Sequence, residues 1–126
     1  YLFARMVERF PIEVVPGVSS LTACSAVLGA PLAAQNDVLA VLPAPLAVEE
    51  LARRLSEVDA AAIIKIGRHF AKVRDVLCTM GLEDRARYVE RATMSSQRIL
   101  TLDEVAEDTA PYFSMILVHR RAEAWR

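Results

Sequence analysis

Lys65, Arg68, His69 and Arg91 are the side chains best placed in this sequence to do chemistry, because each stands where an apolar run ends and a strand would deliver it to a sheet edge. Guanidinium groups at such edges can bind carboxylates through paired hydrogen bonds, so Arg68, Arg91 and Arg98 can converge on one acidic ligand; solvated loop residues are the competing reading. Lys65 interrupts an apolar run, either as a cation in a cleft or as a marginal residue whose stem packs while its ammonium reaches water. The second is the plainer reading. His69 beside Arg68 reads as a helix-start residue rather than a general base. A further cluster, Pro16-Gly17-Val18-Ser19-Ser20, follows the β-branched run Ile12-Glu13-Val14-Val15. Pro16 cannot continue a central ladder, Gly17 permits a turn or the close approach of a ligand, and Ser19 or Ser20 can cap the next helix. Strand, tight turn and helix N-terminus make the kind of corner that holds a small ligand, although many such corners hold nothing. There is no zinc-spaced Cys and His set, no Gly-rich phosphate loop ending in Lys and no GxSxG elbow. A hydrolase triad is not expected.

Composition narrows the classes further. The 126 residues are 54% hydrophobic and 25% charged, enough apolar content for one α/β domain with a real core. Fifteen Lys and Arg against 16 Asp and Glu give a net charge of -1, so there is no general field for nucleic acid. Cys24 and Cys78 lie far apart on helical patterns and read as buried structural thiols of a reducing compartment. No stretch has the length and apolarity of a membrane span, and the first residues lack signal-peptide order, so a cytoplasmic location is expected.

Positioning elements follow from periodicity. Leu2, Phe3, Met6, Val7 and Phe10 recur at helical spacing without a cap before them, so residues 1–10 read as the end of a helix from an upstream domain and 11–126 as the α/β domain itself. A helix carrying Leu21, Cys24 and Leu28 stops at Gly29, with Pro31 beyond. Val38–Leu42 reads as a buried strand. Val48, Leu51, Leu55 and Val58 form the apolar stripe of a helix whose other side pairs Glu49 with Arg53 and Glu50 with Arg54. Ala60–Ile66 is a continuous apolar run suited to a strand covered on both faces, followed by Gly67-Arg68-His69 and a helix with Phe70, Val73, Leu77 and Met80 inward. Residues 86–90, 97–101 and 113–118 read as further strands, the last ones with antiparallel pairing. The expected fold is a mixed, mostly parallel sheet of about five strands with helices on both faces.

Val14-Val15-Pro16-Gly17-Val18-Ser19-Ser20, Ile64-Lys65-Ile66-Gly67-Arg68-His69, Tyr88-Val89-Glu90-Arg91-Ala92-Thr93 and Pro111–Val118 occur in the order found in tetrapyrrole methylases, and the chain resembles their C-terminal half. That resemblance implies S-adenosylmethionine bound in a cleft between two α/β domains, with this chain as one wall, a tetrapyrrole as methyl acceptor and a homodimer as the assembly. It places Pro16, Gly17, Ser19 and Ser20 at the family's turn beside the cofactor. It also places Ile66 and Gly67 at a central-strand motif touching the cofactor through backbone, Ala92 and Thr93 near it, and Met115, with Ile116, toward the adenine. The family often has glycine where Ala92 stands. Arg68 and Arg91 are implied at the rim, facing the carboxylates of the tetrapyrrole. The resemblance assigns no catalytic base and no metal.

Overall fold

The first five residues of the apolar run, Ala60–Ile64, become the second strand of a five-stranded sheet in the computed structural model, which describes residues 1–121. Along the chain come α1 (Leu2–Met6), α2 (Ser20–Leu28), β1 (Leu39–Pro43), α3 (Val48–Ser56), β2 (Ala60–Ile64), α4 (Phe70–Thr79), β3 (Ala86–Glu90), β4 (Arg98–Leu100) and β5 (Ser114–His119). Single 3-10 turns, Gly67–His69 and Glu83–Arg85, lead into α4 and β3. The last five residues of the expected 11–126 domain lie outside the described residues.

The strand order is β1-β2-β5-β3-β4. β1 and β2 are parallel, whereas β2 with β5, β5 with β3 and β3 with β4 are antiparallel. The sheet is therefore mixed, with helices on both faces as expected, but mostly antiparallel rather than mostly parallel. β5 is the cause. It arrives after the long loop 101–113, inserts between β2 and β3, and runs against both, separating two strands that point the same way.

Alternation along the strands divides the core. Ala61, Ile63, Tyr88 and Ile116 face α3 and α4, while Ala62, Val89, Met115 and Leu117 face α2. This two-sided burial is why β2 lacks any apolar and polar alternation in its sequence. α3 buries Leu51 and Leu55, and its outer side carries Glu50 bonded to Arg53 and Arg54. Ser19 caps α2 by accepting from the Thr22 amide at 3.4 Å, and Gly29 ends that helix in the left-handed region at φ 65°.

One expected strand is missing. Residues 12–15 form no ladder, and Val14 and Val15 are 69% and 77% exposed. Strand preference is realised through neighbours that pack and pair, and no described strand lies beside this run.

Candidate functional site

Because β1 and β2 are parallel and β5 opposes both β2 and β3, the carboxyl ends of β1, β2 and β3 and the amino end of β5 meet at one edge. A cleft of about 720 Å³ opens there, within the usual size of a small-molecule site. The first turns of α2 contribute Ser20, Ala23 and Cys24 to its wall, and Pro45 follows from the loop after β1. Beyond β2 come Lys65, Gly67, Arg68 and His69; beyond β3 come Arg91, Ala92 and Met94. Tyr112, Phe113, Ser114 and Met115 complete it where β5 begins.

Short hydrogen bonds fix these loops. Ala44 N donates to Ile64 O at 2.8 Å, Arg91 N to Phe113 O at 2.7 Å and Ala110 N to Gly67 O at 3.0 Å. Lys72 Nζ donates to the carbonyls of Ala44 and Leu46 at 2.6 and 2.5 Å, tying the loop after β1 to α4. The backbone is strained on this edge. Lys65, Arg91 and Thr93 have φ of 58°, 49° and 67°, and Gly67 has 37°. Each non-glycine residue held there costs about 1–3 kcal/mol, a conformation that persists where the surrounding structure imposes it and that concentrates at functional sites.

The electrostatics are one-sided. Lys65, Arg68 and Arg91 line the cleft and no carboxylate does among the described residues. Burial, then the nearby Lys72 and Arg68 charges, hold the His69 imidazole below its ordinary value, so it is neutral at pH 7. Burial raises the Cys24 thiol, which stays protonated and inert as a nucleophile. Burial and a hydrogen bond to Glu90 likewise raise the Tyr88 hydroxyl, which remains a donor.

The cleft brings together Ser20, Gly67, Arg68, Arg91, Ala92 and Met115 from the residues singled out in the sequence. Ile66, Thr93 and Ser19 adjoin it without lining it. The Ile66 side chain, 1% exposed, turns into the core toward α4, leaving its backbone at the turn. Thr93 is exposed and its amide donates to Gln97 Oε1 at 2.7 Å. Pro16 and Gly17 belong to the exposed segment before α2 and are not in the wall. Lys65, set aside in favour of a marginal role, lines the cleft, and Arg98 stands apart from it. Ala23, Cys24, Pro45, Met94, Tyr112, Phe113 and Ser114 were not singled out. The exposed aromatic pair Tyr112 and Phe113, edge to face at 5.1 Å, was the one legible signal among them.

The strand ends of this α/β sheet thus enclose a cleft with small side chains along its wall and a cationic rim. Residues 1–106 match the family described as Tetrapyrrole (Corrin/Porphyrin) Methylases, and the chain belongs to it. A precorrin-2 C(20)-methyltransferase from a Sinorhizobium species is 46% identical over 118 residues, 94% of this chain and 48% of that protein. The cobalamin biosynthesis protein CobIJ of Mycobacterium bovis is 45% identical over 94% of this chain and 23% of its own length. Among solved structures, uroporphyrin-III C-methyl transferase from Thermus thermophilus complexed with S-adenyl homocysteine superposes with a TM-score of 0.60 at 25% identity, over 93% of this chain and 57% of that one. The methyltransferase CobJ reaches 0.69 at 21% identity over 96% and 58%, a likeness of fold alone. The chain thus spans about half the length, or less, of the curated relatives it matches.

Proposed function

We propose that this chain forms one wall of the cofactor cleft in an S-adenosylmethionine-dependent methyltransferase that methylates precorrin-2 at C-20 in cobalamin biosynthesis. The carrying observation is a cleft with a cationic rim and no carboxylate in its wall, at the strand ends of a chain 46% identical to a precorrin-2 C(20)-methyltransferase. When bound, the cofactor supplies a methyl group on a positively charged sulfur, which leaves to a tetrapyrrole carbon while the bonding pair returns to sulfur.

The residues present fit such a ligand. Ser20, Ala23 and Ala92 are small, and a Cβ built on Gly67 would meet nothing within 4 Å, so adenosine can lie close to the backbone. Gly67, Ala92, Ser20 and Met115 would hold it, with Ile66 and Thr93 contributing backbone beside them and Pro16, Gly17 and Ser19 leading into α2. Arg68 and Arg91 would face the carboxylates of the tetrapyrrole at the rim, joined by Lys65. These groups bind and orient; the tetrapyrrole gives up one proton in exchange for the methyl group, released to solvent, and no side chain of the cleft is assigned to carry it. Fixing donor and acceptor in line can remove about 7–11 kcal/mol of the barrier. The compartment we propose is the cytoplasm; no described helix is long and apolar enough to cross a membrane.

One observation favours a second reading, a scaffold or dimerisation half without activity alone. Leu2, Phe3, Phe10, Val14, Val15 and Val18 are all exposed on the segment before α2. Calorimetric titration of S-adenosylhomocysteine into this chain and into the full-length polypeptide carrying it separates the two. Binding to both is the expected outcome. Binding to the full-length protein only favours the scaffold half, and binding to neither removes the methyltransferase reading.

A further inference from the structure

Glu90 closes β3 and is only 3% exposed. A buried carboxylate is costly unless it is paired, and three groups converge on this one. Tyr88 Oη donates to Oε2 at 2.6 Å, Arg91 Nη1 donates to Oε1 at 2.7 Å, and Arg98 Nη1 stands 3.6 Å from the same oxygen. Tyr88 is itself locked by Phe70, edge to face at 5.5 Å. Across the ladder, Ser114 lies opposite Glu90 and lines the cleft. The carboxylate is therefore a fixed point in the core, whereas Arg91, its side chain 38% exposed, lines the cleft.

We propose that Glu90 is a positioning residue, clamping the Arg91 guanidinium at the cleft so that its remaining N–H donors meet a ligand carboxylate in one orientation. The inference deepens the tetrapyrrole-methyltransferase reading and rests on it. A guanidinium carries five donors in a rigid fork, and the bond to Glu90 takes one of them. Holding the side chain beforehand spares the ligand the loss of its rotamer freedom. Arg98, 3.6 Å from the same Glu90 oxygen and 3.9 Å from Glu107, shares that carboxylate, so Glu90 does not spend its charge on Arg91 alone. The left-handed backbone at Arg91, fixed by its amide bond to Phe113 O, is what turns the chain so that adjacent residues 90 and 91 can meet side chain to side chain.

The test is steady-state kinetics of the full-length polypeptide with its tetrapyrrole, together with titrations of uroporphyrin and of uroporphyrin methyl ester. Glu90→Gln keeps the shape and removes the charge. It is expected to raise KM about tenfold with kcat within about twofold, the size of a lost charged hydrogen bond. S-adenosylhomocysteine affinity stays unchanged, and the loss seen with uroporphyrin vanishes with the ester. Arg91→Lys raises KM in the same way, and the double variant is no worse than Arg91→Lys, because Glu90 acts through Arg91. Tyr88→Phe, which keeps the ring packed, gives a smaller rise of about threefold and carries the same cycle should Glu90→Gln not fold. Losses that multiply in the double variant, an unchanged KM, or equal losses in cofactor affinity and melting temperature overturn the inference. An active wild type with any of these outcomes removes this inference alone; a wild type that neither binds S-adenosylhomocysteine nor methylates a tetrapyrrole removes the parent reading with it.

Discussion

The two faces of the sheet are built unequally. Among the described residues, eighteen buried side chains form one cluster on the α3 and α4 face, while five do so on the α2 face. None of the eighteen lines the cleft; Cys24 and Met115 of the five do, and Ile64 and Ala92, which pack against them, do as well. The heavy face holds the strand ends still, and the light face leaves the room they enclose. Most of the buried packing thus lies on one side of the sheet and the cleft opens on the other, so truncations in the larger cluster away from Tyr88 are expected to leave the cleft largely unchanged.

Matched truncations break or sharpen that contrast most directly. Leu77→Ala on the heavy face, where the residue is fully buried, is expected to cost about 4 kcal/mol in urea unfolding, and Leu117→Ala on the light face about 2 kcal/mol. The light side can collapse around the void, and the cleft beside it can take part of the strain. Equal costs would mean that the faces do not differ in the way their packing suggests. Lys65→Gly has a smaller and opposite effect. Removing the left-handed side chain is expected to leave thermal stability unchanged or raise it by up to about 1 kcal/mol, while weakening uroporphyrin binding about threefold. Stability and binding falling together would refute the idea that this turn is strained for the ligand.

The smallest effect lies on the outer side of α3. Hydrogen bonds from Arg53, then Arg54, hold the Glu50 carboxyl down at about 2 from an ordinary 4.5. A lowered folded value means that its contribution is present above pH 4.5 and disappears as the pH falls toward 2. Glu50→Gln should therefore flatten the pH dependence of the urea midpoint in that window, slightly, since these ion pairs lie at the solvent-facing surface of α3 and are screened there. Binding at the cleft at pH 7 should be untouched.

Much of this division was legible in the residues. The stripe Leu51, Leu55 and Val58, the Ser19 cap and the stop at Gly29 act within a few residues of chain, and the structure realises them, while Val48 at the start of that stripe stays exposed. Burial of Ala60–Ile64 on both faces followed from its unbroken apolar run. What depended on distant partners was not legible. Val14 and Val15 have strand preference but no strand to pair with, and the insertion of β5 between β2 and β3 leaves no mark on the periodicity of any of the three. At the site, Gly67 and Ser20 could be found from turn chemistry and capping. The turns at Lys65 and Arg91 could not, because neither residue type announces a left-handed backbone. Ile66 shows the limit of a motif: its place in sequence is beside the cleft, yet the turn after β2 leaves its side chain in the core.

The sheet's two flanks bear on how copies of the chain can meet. β4 is three residues long and carries Arg98, whose guanidinium lies within 3.9 Å of Glu90 and Glu107, and β1 at the other flank ends in Pro43, which has no amide hydrogen to offer. Short, charged or proline-bearing borders are poor templates for another strand. Runaway edge-to-edge stacking is thereby discouraged, and any self-association of this fold is directed to its faces and to the apolar segment ahead of α2 rather than to a continuous intermolecular sheet.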